Sequence, residues 1–338
     1  MMSRGQPLVS IVSPVHNEGE HLRECADSVL AQTYQNWEWV IVNNGSTDDT
    51  LEIAREYAAR DSRIRVHDNE TTVRMIPNHN IALRLTSRDS TYCKVLGGDD
   101  WLFPEYLEKI VAHAEDHPSV AVVQCYRLQG TDVAGDGLPY PSTVIPGREA
   151  CRLWLLPGGP SIFGPTSALL FRSDIVRSRD PFFNELNIHA DIEACLETLE
   201  FHDFGFVHQV LVYYRLRDAS MTSYSSDNQT YLAGRLADLV AYGPRYLDEQ
   251  ELRRTISGHL HLYYRALGSQ VFKRPRREYW RLHRAKLASL GYAMQWRRVA
   301  AYAVLYLLGI VLDPARTANR VAQWRRRTAS GTDGPASA

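Results

Sequence analysis

Along the first 125 residues, short apolar runs alternate with stretches in which apolar side chains return every three or four positions. Residues 8–13, 37–42, 63–67, 91–96 and 120–125 are the apolar runs and read as strands. Residues 20–32 read as a helix, with Leu22, Cys25, Ala26, Val29 and Leu30 on one face. Ser46-Thr47-Asp48-Asp49 is a helix-start signal, and Leu51, Ala54, Tyr57 and Ala58 stripe the helix that follows. Residues 78–85 and 104–117 are helical, the latter stopped by Pro118. Such alternation implies β-α-β units: an α/β fold with a Rossmann-like, mostly parallel sheet and helices on both faces.

In sheets of this kind ligands bind beyond the carboxyl ends of the strands. Three polar clusters fall at those ends: Pro14-Val15-His16-Asn17-Glu18, Asn43-Asn44-Gly45-Ser46 and Gly97-Gly98-Asp99-Asp100. Further on, 128–147 is rich in Gly, Pro and Asp and reads as a long loop. A short helix (148–156), a strand (166–171), a helix (191–202) and a strand (206–216) follow, and from about 228 the pattern is helical. The chain therefore divides into a sheet domain over 1–225, a basic helical region over 226–327, and a small-residue polar tail over 328–338 expected to be disordered.

Charge changes the picture of the second region. The net charge of −1 conceals fourteen Lys and Arg against two acids between residues 270 and 327. That tail is strongly basic and the body correspondingly acidic, which points the tail at an anionic surface. Within it, 299–312 is an unbroken apolar run, as a helix about 21 Å long and too short for a hydrocarbon core of roughly 30 Å. Arg297 and Arg298 precede it and Arg316, Arg320 and Arg325 follow. Two readings stand: a helix lying in a membrane interface, or a buried core or dimer contact. The tail matches no nucleic-acid-binding motif, so no nucleic-acid partner is expected. The five cysteines are widely spaced without a C-x-x-C pair, which argues against a disulfide framework or zinc site and for a reducing compartment. Strand-like sequence from Leu8 leaves no room for a signal peptide, so the expected location is cytoplasmic, with the tail at the inner membrane face.

The densest chemistry lies in Leu96-Gly97-Gly98-Asp99-Asp100-Trp101-Leu102-Phe103-Pro104, where an apolar run ends in two adjacent carboxylates. Either they cap a turn and helix, or they hold a divalent cation, which takes hard oxygen ligands. Meeting the other two clusters at one sheet edge favours the cation.

These stretches, taken together, resemble the family 2 glycosyltransferases, inverting enzymes of the GT-A fold. The resemblance is carried by VSIVSPVHNEGEHLRECADSVLAQTYQNWEWVIVNNGSTDDT, by Asn80-Ile81-Ala82-Leu83 ahead of GGDDWLFPEYL, by Phe182-Phe183-Asn184-Glu185 with Ala190-Asp191-Ile192-Glu193, and by Leu211-Val212-Tyr213-Tyr214-Arg215-Leu216-Arg217. It spans residues 8 to about 222 and leaves the basic third uncovered.

The resemblance implies a nucleotide-binding half over about 1–125 and an acceptor half over about 126–225. Pro14, Val15, Asn17, Glu18, Asn44 and Ser46 would contact the nucleoside of a nucleotide-sugar donor, with Arg74 and Asn80 nearby. Asp99 and Asp100 would hold Mn²⁺ or Mg²⁺, with Asp99 also at the donor, and Asp191 would be the catalytic base. Gly164, Thr166 and Ser167 would form the acceptor wall for a glycan or lipid-linked acceptor, which implies a role in cell-surface polysaccharide synthesis. The chemistry is coherent: a cation offsets charge on a departing diphosphate, and a carboxylate takes the acceptor proton. Asp191 also reads simply as a helix N-terminal acid.

Three positions depart from the family's pattern. Gly97 stands where an acid is common, Asn43-Asn44 where two aspartates are common, and Arg217 where a histidine is common. Arg217 cannot ligate a metal but can pair with pyrophosphate. Two rival readings follow: a sugar nucleotidyltransferase, which would carry a glycine-rich, lysine-containing loop that is not seen, and a non-catalytic glycan- or nucleotide-binding scaffold.

Overall fold

The structure, a computed structural model, describes residues 5–217, 225, 227–273 and 275–312. The described residues up to 227, with 241–252, form one compact unit; those of 228–240 and 253–312 form a second. The expected tail over 328–338 and the basic residues Arg316, Arg320 and Arg325 lie outside the described residues.

The first unit opens with β1 (Val9–Val15), α1 (Leu22–Leu30), β2 (Trp37–Asn43), α2 (Thr50–Arg60), β3 (Ile64–Asp68), α3 (Met75–Arg84) and β4 (Tyr92–Val95). It continues through β5 (Trp101–Leu102), α4 (Tyr106–Asp116), β6 (Val120–Gln129), β7 (Asp132–Ala134), β8 (Val144–Ile145) and α5 (Gly147–Leu155). β9 (Leu169–Arg172), α6 (Ser173–Arg177), α7 (Ala190–Thr198) and β10 (Asp203–Tyr214) complete the sheet. The strand order is β3-β2-β1-β4-β9-β6-β10-β5, with β7 on β6 and β8 on β10.

β3, β2, β1 and β4 are parallel neighbours, as are β6 and β10. β9 runs antiparallel to both β4 and β6 and joins the two parallel parts. Register puts Val15 opposite Asn43 and Val12 opposite Val95, so the loops after β1, β2 and β4 leave along one edge. The strands are apolar on both faces because both are covered: Ile11, Trp39, Leu96, Ile110 and Val212 share one buried cluster.

Two expectations need correction. The loop expected over 128–147 contains β7 and β8, whose backbones pair with β6 and β10 without an apolar pattern of their own. The strand expected over 166–171 begins as a 3₁₀ turn, Thr166–Ala168, and only Leu169–Arg172 pairs in the sheet. The turn carbonyls of Thr166 and Ser167 point to the Lys94 ammonium instead of a neighbouring strand.

The second unit packs α8 (Thr230–Ala241), the later part of α10 (Glu249–Gln270), α11 (Arg277–Ser289) and α12 (Trp296–Leu312); the short α9 (Gly243–Tyr246) belongs to the first. Leu236, Tyr263, Tyr264, Leu267, Leu287 and Val299 form its core. No helix among the described residues is long and apolar enough to cross a membrane.

Candidate active site

The loop after β1 is shaped by one unusual backbone position. Asn17 has φ 56°, a left-handed conformation that asparagine tolerates better than most residues. Its amide donates to Ser46 Oγ at 3.0 Å, and its Oδ1 accepts from Thr47 N at 2.8 Å. Glu18 N donates to Thr50 Oγ1 at 2.7 Å. Asn17 and Ser46 therefore lock the first loop onto the second, which itself turns at Gly45, φ +66°. This lock leaves Pro14, Val15 and Glu18 facing a cavity.

Asn44 also lines the cavity, yet its amide is committed elsewhere. Its Nδ2 donates to Val73 O at 2.8 Å, while its Oδ1 accepts from Val73 N at 2.9 Å and from Asn69 at 3.1 Å. Both carbonyl lone pairs are in use. The asparagine holds the 69–73 segment as a neighbouring strand would.

The acid turn sits where β4 leaves the sheet. Gly98 packs its bare Cα against Val15 and Glu18; a Cβ there would meet Val15 Cγ1 at 2.7 Å. Asp100 is 2% exposed, and its Oδ1 accepts from Arg215 N at 2.9 Å. Burial, reinforced by the neighbouring Asp99 charge, pushes the Asp100 carboxyl up. Arg217 Nη2 donates to Glu18 Oε1 at 2.8 Å, and its Nε lies 2.7 Å from Asp99 Oδ2. Desolvation raises Glu18 to about 6 despite that partner.

Lys94, which sequence reasoning passed over as a strand residue, is fully buried beneath this turn. Its ammonium donates to the carbonyls of Ser167 and, at 3.3 Å, Leu169, and lies 4.6 Å from the centre of the Tyr106 ring. Burial lowers it to about 7. Ser167 Oγ in turn accepts from Gly97 N at 3.1 Å. The lone cation in the run Tyr92-Cys93-Lys94-Val95-Leu96 was the available signal.

Asp191 lies in the first turn of α7. Its Oδ1 accepts from Ile192 N at 2.9 Å, but desolvation dominates and raises it to about 6. Asn80 positions the approach to this helix. Its Nδ2 donates to Phe183 O at 2.8 Å and its Oδ1 accepts from Phe183 N at 2.9 Å.

A single cavity of about 780 Å³ gathers much of this. Pro14, Val15, Glu18, Asn44, Asp99, Asp100, Gly164, Thr166, Ser167, Asp191 and Arg217 line it. Asn17, Ser46, Arg74 and Asn80 do not: the first two tie loops, Arg74 is exposed at the start of α3, and Asn80 is clamped to Phe183. Arg127 lines it without having been singled out from the sequence.

Among the described residues no group of three or more His, Cys, Asp or Glu side chains is arranged to hold a metal. Asp99 and Asp100 remain as a pair of hard oxygen donors. Among the described residues the carboxylates of Glu18, Asp99 and Asp100 share one side-chain ion-pair partner, Arg217, while Arg215 bonds the Asp99 carbonyl; a divalent cation would relieve the excess of negative charge. Such ions commonly complete their shells with water and phosphate oxygens, so the pair fits Mn²⁺ or Mg²⁺.

A sheet with these acids beyond its strand ends is the pattern of a known group of proteins. The sequence model described as Glycosyl transferase family 2 matches residues 10–176. Residues 10–176 are a family 2 glycosyltransferase domain. The family 2 domain is 40% identical over 153 residues to EpsE of Bacillus subtilis, covering 43% of this chain and 54% of that protein. It is 35% identical over 125 residues to the O-antigen biosynthesis protein RfbC of Myxococcus xanthus, covering 35% of this chain and 9% of that one. The matched segment thus spans about half or less of these relatives' length. In structure, the chain is similar to S. aureus TarS 1–349 in complex with UDP-GlcNAc, with TM-score 0.61, 16% identity and 92% of each chain covered. It is also similar to the mannosyltransferase PcManGT of Pyrobaculum calidifontis in complex with GDP-Man and Mn²⁺, with TM-score 0.55, 17% identity, and 89% and 87% covered. The fold is GT-A.

Proposed function

We propose that the family 2 domain transfers a sugar from a nucleotide-sugar to a hydroxyl of a glycan or lipid-linked acceptor, with inversion. The observation that carries this reading is the shared cavity: Asp191, raised to about 6, lines the same space as Asp99, Asp100 and Arg217. A carboxylate of raised pKa is a stronger base than an ordinary one and is still ionised at neutral pH. TarS binding UDP-GlcNAc and PcManGT binding GDP-Man support a nucleotide-sugar donor. RfbC, an O-antigen biosynthesis protein, supports a surface glycan as acceptor.

In this mechanism the acceptor hydroxyl gives its proton to Asp191 as its oxygen bonds to the anomeric carbon. The bond from that carbon to the diphosphate breaks, and the electron pair leaves with the nucleoside diphosphate. No protein nucleophile is needed. Asp99 and Asp100 would hold Mn²⁺ or Mg²⁺, which when bound supplies charge stabilisation to the diphosphate. Arg217 would add a fixed cation for the same oxygens. The nucleotide half would be about residues 1–125 and the acceptor half about 126–225.

The basic helical region completes the proposal. α12 buries Val299 and Ala303 but exposes Val304, Leu305, Leu307 and Leu308. With Arg297 and Arg298 at its start, this face suits the cytoplasmic surface of an anionic membrane.

The test of the transfer reading is thermal stabilisation by a panel of nucleoside diphosphates, with and without Mn²⁺, on wild type and D99A/D100A. Metal-enhanced stabilisation by one nucleotide, lost in the variant, is expected. No response to any nucleotide would overturn the reading and favour a non-catalytic scaffold.

A further inference from the structure

Arg127 is a cation on the cavity wall that forms no salt bridge among the described residues; Asp100 and Asp136 act on it only through space. It stands near the end of β6, and its Nε and Nη1 are sequestered from solvent with no hydrogen-bond partner among the described residues. Its Nη2 reaches only the neutral Gln129 Oε1, at the limiting distance of 3.5 Å. Burial pushes the guanidinium down from its ordinary value. An arginine cannot shed its proton to escape this cost, and an unpaired buried charge is expensive.

The surroundings say which ligand is missing. Gly164 lies against the guanidinium: a Cβ there would sit 3.1 Å from Arg127 Nη1 and 2.6 Å from Gln124 Nε2. Gly135 approaches the same Nη1, with a Cβ there at 3.6 Å. The groups within contact of the guanidinium belong to residues 124–164, while Tyr214 and Asp100 act on it through space. Arg217, by contrast, is bonded to Glu18 and Asp99, on the acids of the nucleotide half. The two arginines thus serve different parts of one cavity, and the donor diphosphate already has its own.

We propose that Arg127 binds an anionic group, a carboxylate or a phosphate ester, carried by the acceptor, which makes an acidic glycan the substrate class. This rests on the transferase reading and deepens it. Gln129 beside it can donate to a second oxygen of the same group, and the hydrogen at Gly164 leaves the approach open. Guanidinium recognition of carboxylate or phosphate is charge-assisted and can be bidentate.

The experiment titrates glucose, glucuronate and glucose 6-phosphate into the full chain with saturating UDP or GDP, followed by saturation-transfer NMR. At least one anionic probe should bind about tenfold more tightly than glucose. Which one does so separates the carboxylate from the phosphate source. R127Q should bring that probe to the level of glucose, and R127K should keep part of the preference. Equal affinity for all three probes in the wild type would overturn the proposal, as would a preference undiminished in R127Q. The wild-type comparison decides even if R127Q fails to fold. Failure of both UDP and GDP to bind would instead strike the donor reading, leaving the anion preference to be judged by the same titration.

Discussion

Arg217 lies 2.7 Å from Asp99, joining the segment after β10 to the acid turn after β4. The same guanidinium reaches Glu18 at 2.8 Å, so one cation ties together residues 199 positions apart. Arg217 pairs with both acids, and the proposed donor site would put the same charge within reach of the diphosphate.

Removing that cation should therefore be felt in nucleotide binding. R217A is expected to weaken nucleoside diphosphate affinity by roughly tenfold, the size of a charge-assisted contact. The loss should be larger in EDTA than with Mn²⁺, because either cation can neutralise the acids. Calorimetric titration under both conditions checks this; unchanged affinity in EDTA would exclude the contact.

Asp191 makes two predictions of opposite sign. As a base it must be ionised, so transfer should fall about tenfold per pH unit below about 6. As a desolvated acid, its folded pKa lies above its unfolded one, so its ionisation opposes folding. The penalty is complete above about 6 and absent below the ordinary carboxylate range near 3.8. D191N should thus lower transfer at least about 100-fold while stabilising the fold by on the order of 1–3 kcal/mol at pH 8. The gain should vanish near pH 3.5. Denaturant melts at the two pH values decide.

Lys94 and Asn80 act through the segments they hold. K94M removes the donor to the turn carbonyls and should cost about 1–3 kcal/mol. It should weaken nucleotide binding as well, because Ser167 supports Gly97. N80A should cost a similar amount and slow transfer while leaving nucleotide affinity within about twofold, since it frees only the Phe183 loop. If N80A abolished nucleotide binding, its place outside the cavity would have to be reconsidered.

The membrane face can be tested without cutting the helix. Deleting α12 would remove Val299 from the core of the second unit, so substitution of exposed positions is the cleaner experiment. V304Q/L305Q/L308Q should abolish co-sedimentation with vesicles containing phosphatidylglycerol and leave the melting temperature unchanged. Retained co-sedimentation would sink the membrane reading.

The sheet and the polar clusters at its carboxyl edge were legible in the chain because they are local. Apolar runs between 3.6-period stretches dictate strands and helices, and the strand-end clusters follow at once. The same local reading passed over β7 and β8, whose pairing comes from backbone groups rather than side-chain pattern. It also put Asn80 at the donor, whereas its side chain is held by Phe183 away from the cavity lining, since an amide's chemistry is the same wherever its partners lie.

What the sequence by itself determined was the α/β order, the placing of Asp99 and Asp100 beyond β4, and the basic character of the region after residue 270. What only the tertiary structure decided was the partner of each polar group. Asn80 turns to Phe183, Lys94 to the turn at Ser167, and Arg127 to the cavity wall beside Gln129. The reason is physical: a periodic pattern arises from neighbours three or four residues away. A buried polar group instead takes whichever partner the packing delivers, here from 73 to 103 positions along the chain.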